Sequence, residues 1–173
     1  MRHLILALFL YTSLSAAPPV AEDVKKPMPV VNVKNLKGEQ VSTSSFVNDG
    51  RPVIISFWAT WCKPCIRELS KINELYPDWQ EETGVRIVAV SIDDARNSQR
   101  VAPFVKGKNW DFDVVIDENQ DLKRAMNVND IPHTFLVNGK GEIVWQHIAY
   151  APGDEEHLYN ELKKIAAETK SAD

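Results

Sequence analysis

Val53-Ile54-Ile55-Ser56-Phe57-Trp58-Ala59-Thr60-Trp61-Cys62-Lys63-Pro64-Cys65 is the stretch on which the reading of this chain turns. The run up to Trp58 is continuously apolar and of strand length, which suits a central strand buried on both faces. A helical pattern follows at once, with Cys65, Leu69, Ile72, Tyr76 and Trp79 on one face at spacings of three and four. The junction puts Cys62 at a helix N-terminus, where free backbone N–H groups and the helix dipole favour a thiolate over a thiol. Pro64 suits the first helical turn, where its missing N–H is not needed. Lys63 adds positive charge between the sulfurs. Cys62 is the candidate attacking sulfur, and Cys65, one turn inside the helix, the candidate resolving thiol.

The chain has 2 cysteines, both in this motif. Alone they cannot close a four-ligand zinc site, and neither a second Cys-x-x-Cys nor a His-x-x-x-His pair exists. His133, His147 and His157 stand apart from one another, so no metal is expected. A structural disulfide is the bland alternative, but so short a loop removes little chain entropy. Redox chemistry is the better account of the pair.

The rest of the composition is ordinary. The 173 residues are 44% hydrophobic and 25% charged, which fits one domain with its own core. A net charge of −4, with Lys and Arg scattered, gives no reason to expect nucleic acid. At the N-terminus, Met1-Arg2-His3 is followed by an apolar run from Leu4 to Leu14 and by Ser15-Ala16-Ala17. This is the layout of a secretory signal peptide over residues 1–17. An uncleaved anchor is the weaker reading, because the run is far short of the ~20 residues that span a bilayer. Export would place the cysteines where disulfides persist. Residues 18–29 are rich in proline and charge and read as a linker, leaving 30–173 as the folded domain.

Within that domain, Val30–Val33 and Glu39–Val41 flank Leu36-Lys37-Gly38 as a small hairpin. Pro77 is expected to kink or end the first long helix, and Gly84 stops its pattern. Val85–Ile92 is a second buried strand. Asn97–Lys106 reads as a helix, Asp113–Ile116 as a strand and Asn119–Met126 as a short helix. Thr134–Val137 and Ile143–His147 form strands around Asn138-Gly139-Lys140-Gly141, a strong hairpin signal. Asp154–Thr169 is the closing helix, acidic at its start and basic towards its end. The class is α/β: a central mixed β-sheet flanked by helices on both faces, with an N-terminal hairpin and a central helix–strand insertion.

The run Phe57 to Cys65, together with Ile131-Pro132 before the strand Thr134–Val137, resembles the thioredoxin superfamily. Within it, the chain is similar to the exported TlpA/ResA-like thiol–disulfide oxidoreductases, from about Val30 to the closing helix. The extra segment from Asp93 to Met126 also looks like that branch. The resemblance implies a thioredoxin-like fold, a redox-active disulfide Cys62–Cys65 with no further cofactor, and a cis Ile131–Pro132 peptide facing it. There the backbone edge of Ile131 could pair with an extended substrate chain, with Trp61 shaping the rim. It also implies that Glu68 matches a helix glutamate held close to the active site. The competing reading is a solvated Glu68 paired to Lys71 or Arg67. Ser56 stands where thioredoxin has a proton-accepting aspartate, Ser70 where the family often has proline, and His133 where threonine is usual. His133 is either a proton donor near the site or an exposed strand-end residue.

The function expected is exchange of disulfides with exported proteins, more as a reductase than an oxidant. Electrons would come from a membrane thiol donor, apocytochrome c cysteines are among the substrates, and the protein would act as a periplasmic monomer. A thiol peroxidase is the second enzyme reading. Its Pro-x-x-x-Thr-x-x-Cys pattern is not met, because Thr60 stands two residues before Cys62 and the proline is missing. A non-catalytic binding module, or a copper carrier using His133 or His147 beside the thiolates, is the third.

Overall fold

The computed structural model describes residues 25–170, so the expected signal peptide and most of the expected linker lie outside the described residues. In chain order the elements are β1 (Lys26–Pro27), β2 (Asn32–Asn35), β3 (Gln40–Ser42), β4 (Val53–Trp58), α1 (Lys63–Thr83) and β5 (Arg86–Ser91). They continue with α2 (Val101–Lys108), β6 (Asp113–Ile116), α3 (Asp121–Ala125), β7 (His133–Val137), β8 (Glu142–Ile148) and α4 (Asp154–Lys170). One 8-stranded sheet runs in the order β1-β8-β7-β4-β5-β6-β2-β3. The run β4-β5-β6 is parallel and the other neighbours pair antiparallel.

Central β4 is buried along its whole length, as expected of a strand covered on both faces. Two parallel crossovers, β4-α1-β5 and β5-α2-β6, step across the sheet in the same direction. With right-handed connections both helices therefore fall on one face. Side chains on that face agree: Trp58 meets Phe104 of α2, and Thr134 of β7 meets Glu68 of α1. Helix α4 joins them, with Tyr159 stacked on Trp79 at 5.2 Å. The opposite face carries Phe57 edge-on to Phe135 at 5.9 Å and is approached by Ala125 at the end of α3. Helices thus cover both faces, but unequally.

Two expectations need correction. The fold begins before Val30: Lys26 and Pro27 pair with Ile143 and Glu142, and Met28 is buried. The end of the 18–29 segment is therefore held against an otherwise open strand edge, which a composition argument does not reveal. Pro77 does not end α1, which continues to Thr83. Trp79 and Thr83 beyond the proline are buried, and that packing outweighs the local cost of a missing N–H. The helix stops at Gly84, whose φ of 68° is left-handed and whose N–H reaches Gln80 O at 2.8 Å.

Candidate active site

Strand β4 delivers the chain to the redox motif, and a tight turn hands it to α1. In that turn the Cys62 N–H donates to Ala59 O at 3.0 Å. Cys62 is the N-cap of α1, with its sulfur accepting the Cys65 backbone N–H at 3.3 Å. One of the helix's unpaired amides is thereby aimed at sulfur, a direct preference for the thiolate in the reduced protein. Cys62 and Cys65 are joined by a disulfide of 2.01 Å. Their exposures differ in the sense the chemistry needs: Cys62 keeps 5% and Cys65 none. Only Cys62 has an edge that a substrate sulfur can reach.

The surroundings of that edge come from two other places in the chain. Trp61, 63% exposed, forms the rim beside Cys62. The Ile131–Pro132 peptide is cis, and Ile131 O lies 3.9 Å from Cys62 Sγ. A disulfide sulfur carries no hydrogen, so this is a contact now and becomes a donor–acceptor pair only for a Cys62 thiol. Pro132 O is occupied by the Ala149 N–H at 2.9 Å, which ties the loop to the end of β8. Of the expected site residues, Cys62, Ile131 and Pro132 are brought together, with Trp61 alongside.

Glu68 sits one turn below Cys65 and is only 5% exposed, so the solvated reading fails; Lys71 is instead engaged with Glu74. The Thr134 hydroxyl donates to Glu68 Oε1 at 2.8 Å. Thr134 Oγ1 also lies 3.0 Å from Ser56 Oγ. One hydroxyl has one hydrogen, so while Thr134 donates to Glu68 the Ser56 hydroxyl supplies the hydrogen of the other bond. Glu68 Oε2 is buried with no hydrogen-bond partner among the described residues. Burial is the main reason its pKa rises from 4.5 to about 7; the Thr134 bond works against the rise and the Asp154 charge adds to it. Ser56, unable to replace an aspartate itself, helps hold a glutamate that reaches the same layer from the helix.

His133 is neither exposed nor poised as an acid. It is buried in β7, stacked on Phe135 at 4.1 Å and paired through Nε2 with Gln146 at 3.0 Å. Burial pushes its pKa down, against the Gln146 bond, so it favours the neutral ring.

Sequence reasoning missed Asp93. Its side chain is wholly buried, and its carboxylate accepts the Thr60 N–H at 2.9 Å, the Thr60 hydroxyl at 2.7 Å and the Ser91 hydroxyl at 2.8 Å. The parallel register pairs Trp58 with Ser91, so the residues two positions further on, Thr60 and Asp93, come side by side. Asp93 thereby holds the turn that carries Trp61 and Cys62. The signal was present as a carboxylate just past a buried strand, but it means nothing until that register is known.

No group of three or more His, Cys, Asp or Glu side chains that could hold a metal occurs among the described residues. No helix there is long and apolar enough to cross a membrane.

Comparison with known proteins agrees with this geometry. Residues 24–146 match the model of the AhpC/TSA family. The thiol–disulfide oxidoreductase ResA of Bacillus thuringiensis subsp. konkukian is 34% identical over 143 residues, covering 83% of this chain and 79% of the relative. Among solved structures, a thioredoxin-like protein from Porphyromonas gingivalis superposes with a TM-score of 0.73 at 49% identity, covering 82% of this chain and 92% of the other. StoA from Bacillus subtilis superposes with a TM-score of 0.61 at 30% identity, covering 77% and 97% respectively.

Proposed function

Because the chain belongs to the thioredoxin-like AhpC/TSA family and is a thiol–disulfide oxidoreductase, we propose that it is exported and reduces disulfides in other exported proteins. Cys62 attacks the substrate disulfide as a thiolate and forms a mixed disulfide. Cys65 then attacks Cys62 Sγ, re-forming the internal disulfide and releasing the substrate thiolate. Two electrons pass from the enzyme dithiol to the substrate. The redox group is the cysteine pair itself, with no bound cofactor, and the protein acts as a monomer. The observation that carries this reading is the asymmetry of the pair: Cys62 is the helix N-cap with an open edge, while Cys65 is fully enclosed.

Trp61, Ile131 and Pro132 form the surface on which an extended substrate segment lies. Glu68 is the proton acceptor for Cys65, since a carboxyl with a pKa near 7 can take a proton and give it up near neutral pH. A thiol donor at the membrane returns the protein to the dithiol, and residues 1–17 direct it across that membrane into the periplasm. Apocytochrome c, whose haem-binding cysteines must be reduced, is the substrate to test first.

The experiment mixes reduced protein with an apocytochrome c holding its two cysteines as a disulfide, and in parallel with hydrogen peroxide, following Trp fluorescence in stopped flow. Rapid oxidation by the apocytochrome and slow oxidation by peroxide supports the reading. Peroxide reacting much the faster would make the protein a thiol peroxidase instead.

A further inference from the structure

Glu68 presents two oxygens with different surroundings. Oε1 is held by Thr134, whereas Oε2 is buried without a hydrogen-bond partner among the described residues. Beside the carboxyl is a cavity of about 10 Å³, on the scale of one water. Glu68 and Thr134 line it, and so do His147, Tyr150 and Asp154. Ile72 and Leu158 supply apolar wall. A water there would have the two to four polar partners that buried waters ordinarily find. Beyond the cavity lies a pair that reaches solvent: His147 Nε2 is 3.3 Å from Asp154 Oδ2, with side chains 40% and 28% exposed. Asp154 is fixed by the Ala151 N–H, which donates to the same oxygen at 2.6 Å.

We propose that this cavity holds one water that passes a proton between the Glu68 carboxyl and the surface Asp154–His147 pair. The inference rests on the proposed role of Glu68 as the acceptor of the Cys65 proton. In that reaction the Cys65 S–H bond breaks, its proton goes to Glu68, and the Cys65 thiolate attacks Cys62 Sγ as the substrate thiolate leaves. Only an ionised Glu68 can take that proton, so resolution waits on the loss to solvent of any proton Glu68 already holds, and burial denies it direct contact with bulk water. Of the charged and titratable groups facing it, His147 comes from β8, Asp154 and Glu155 from α4, and Tyr150 from the loop between them. From the sheet beneath, β7 and β4 present only the hydroxyls of Thr134 and Ser56. On α1 itself Lys71 is engaged with Glu74 and Arg67 is exposed. Glu155 also reaches solvent from this cavity, but its Oε2 is taken by the Tyr150 hydroxyl and the Gly153 N–H, whereas the route through Asp154 ends at the His147 imidazole.

The test follows the reduced protein reacting with a chromogenic aromatic disulfide. The first aryl thiolate reports Cys62 attack and the second reports resolution by Cys65. His147→Gln leaves the Asp154–Ala151 bond in place, and with Asp154→Asn it should slow the second phase on the order of tenfold while sparing the first. Added imidazole should restore the His147→Gln rate, and neither substitution should slow resolution further in a Glu68→Gln background. If Glu68→Gln slows resolution but both surface variants resolve at the wild-type rate, the relay is wrong and the role of Glu68 stands. If Glu68→Gln itself resolves at the wild-type rate, the role of Glu68 falls and the relay with it. Equal slowing of both phases, without imidazole rescue, would mean a general distortion and also overturn the relay.

Discussion

Asp93 holds Thr60 twice, accepting its backbone N–H at 2.9 Å and its hydroxyl at 2.7 Å. The two residues are 33 positions apart, yet the parallel pairing of β4 with β5 makes them neighbours. The turn that aims Cys62 at its surroundings is thus fastened to the strand beside it, so the sulfur's position is set by the sheet as well as by the helix it caps.

Asp93→Ala removes the acceptor for both groups of Thr60 and for the Ser91 hydroxyl. Leaving such donors unsatisfied in a buried place costs about 2 to 3 kcal/mol, so urea unfolding of the oxidised protein should show a loss of that order. Asp93→Asn keeps one carbonyl acceptor and should lose less. If Ala and wild type unfold alike, the clasp contributes nothing.

Glu68 gives stability an unusual pH dependence. Its pKa is raised from 4.5 to about 7 in the folded protein, so between those values the native state holds a proton that the unfolded chain releases. Stability from this group is therefore fully present below about pH 4.5 and lost as pH rises to about 7, a change of about 3 kcal/mol. Glu68→Gln should flatten this slope and also alter the pH profile of thiol reactivity. Urea midpoints for both proteins from pH 4.5 to 8 check the first, and an unchanged slope would contradict it.

The unequal exposure of the cysteines predicts unequal alkylation. In the reduced protein, iodoacetamide should modify Cys62 in preference to Cys65, on the order of a hundredfold, as read by peptide mass spectrometry. Cys62→Ser should abolish exchange, whereas Cys65→Ser should accumulate mixed disulfides with the substrate. Equal labelling would remove the basis for assigning the attacking sulfur.

Gly139, in the β7–β8 turn, lies against the backbone of Gly50; a Cβ there would sit 1.8 Å from Gly50 O. Gly139→Ala must displace one loop, and overpacking of this kind costs about 1 to 3 kcal/mol. The expected result is a lower Tm with the reduction potential unchanged, because the turn holds none of the redox residues.

Much of this was legible in the sequence because it depends on local pattern. The buried run of β4, the apolar face of α1, the Gly84 stop and the Asn138–Gly141 hairpin follow from periodicity and turn chemistry. The Cys62 N-cap follows from where strand meets helix. What could not be read depends on register. Asp93 becomes part of the site only through the alignment of β4 with β5, and Thr134 only because antiparallel β7 sets it opposite Ser56. For His133 the sequence offers a proton donor or an exposed strand end, and its burial against Phe135 and Gln146 is a tertiary fact that neither reading contains. The passage of α1 through Pro77 is of the same kind, since Trp79 and Thr83 are held by packing that no local propensity contains.

The central claim is that the Cys62–Cys65 pair donates electrons to protein disulfides, and its equilibrium reduction potential tests that most directly. The potential can be read from Trp fluorescence or alkylation in graded dithiothreitol and glutathione buffers. The account predicts a value near or below about −270 mV, in the range of thioredoxin. A value near about −120 mV, that of a strong oxidant, would make the protein a disulfide donor and contradict it.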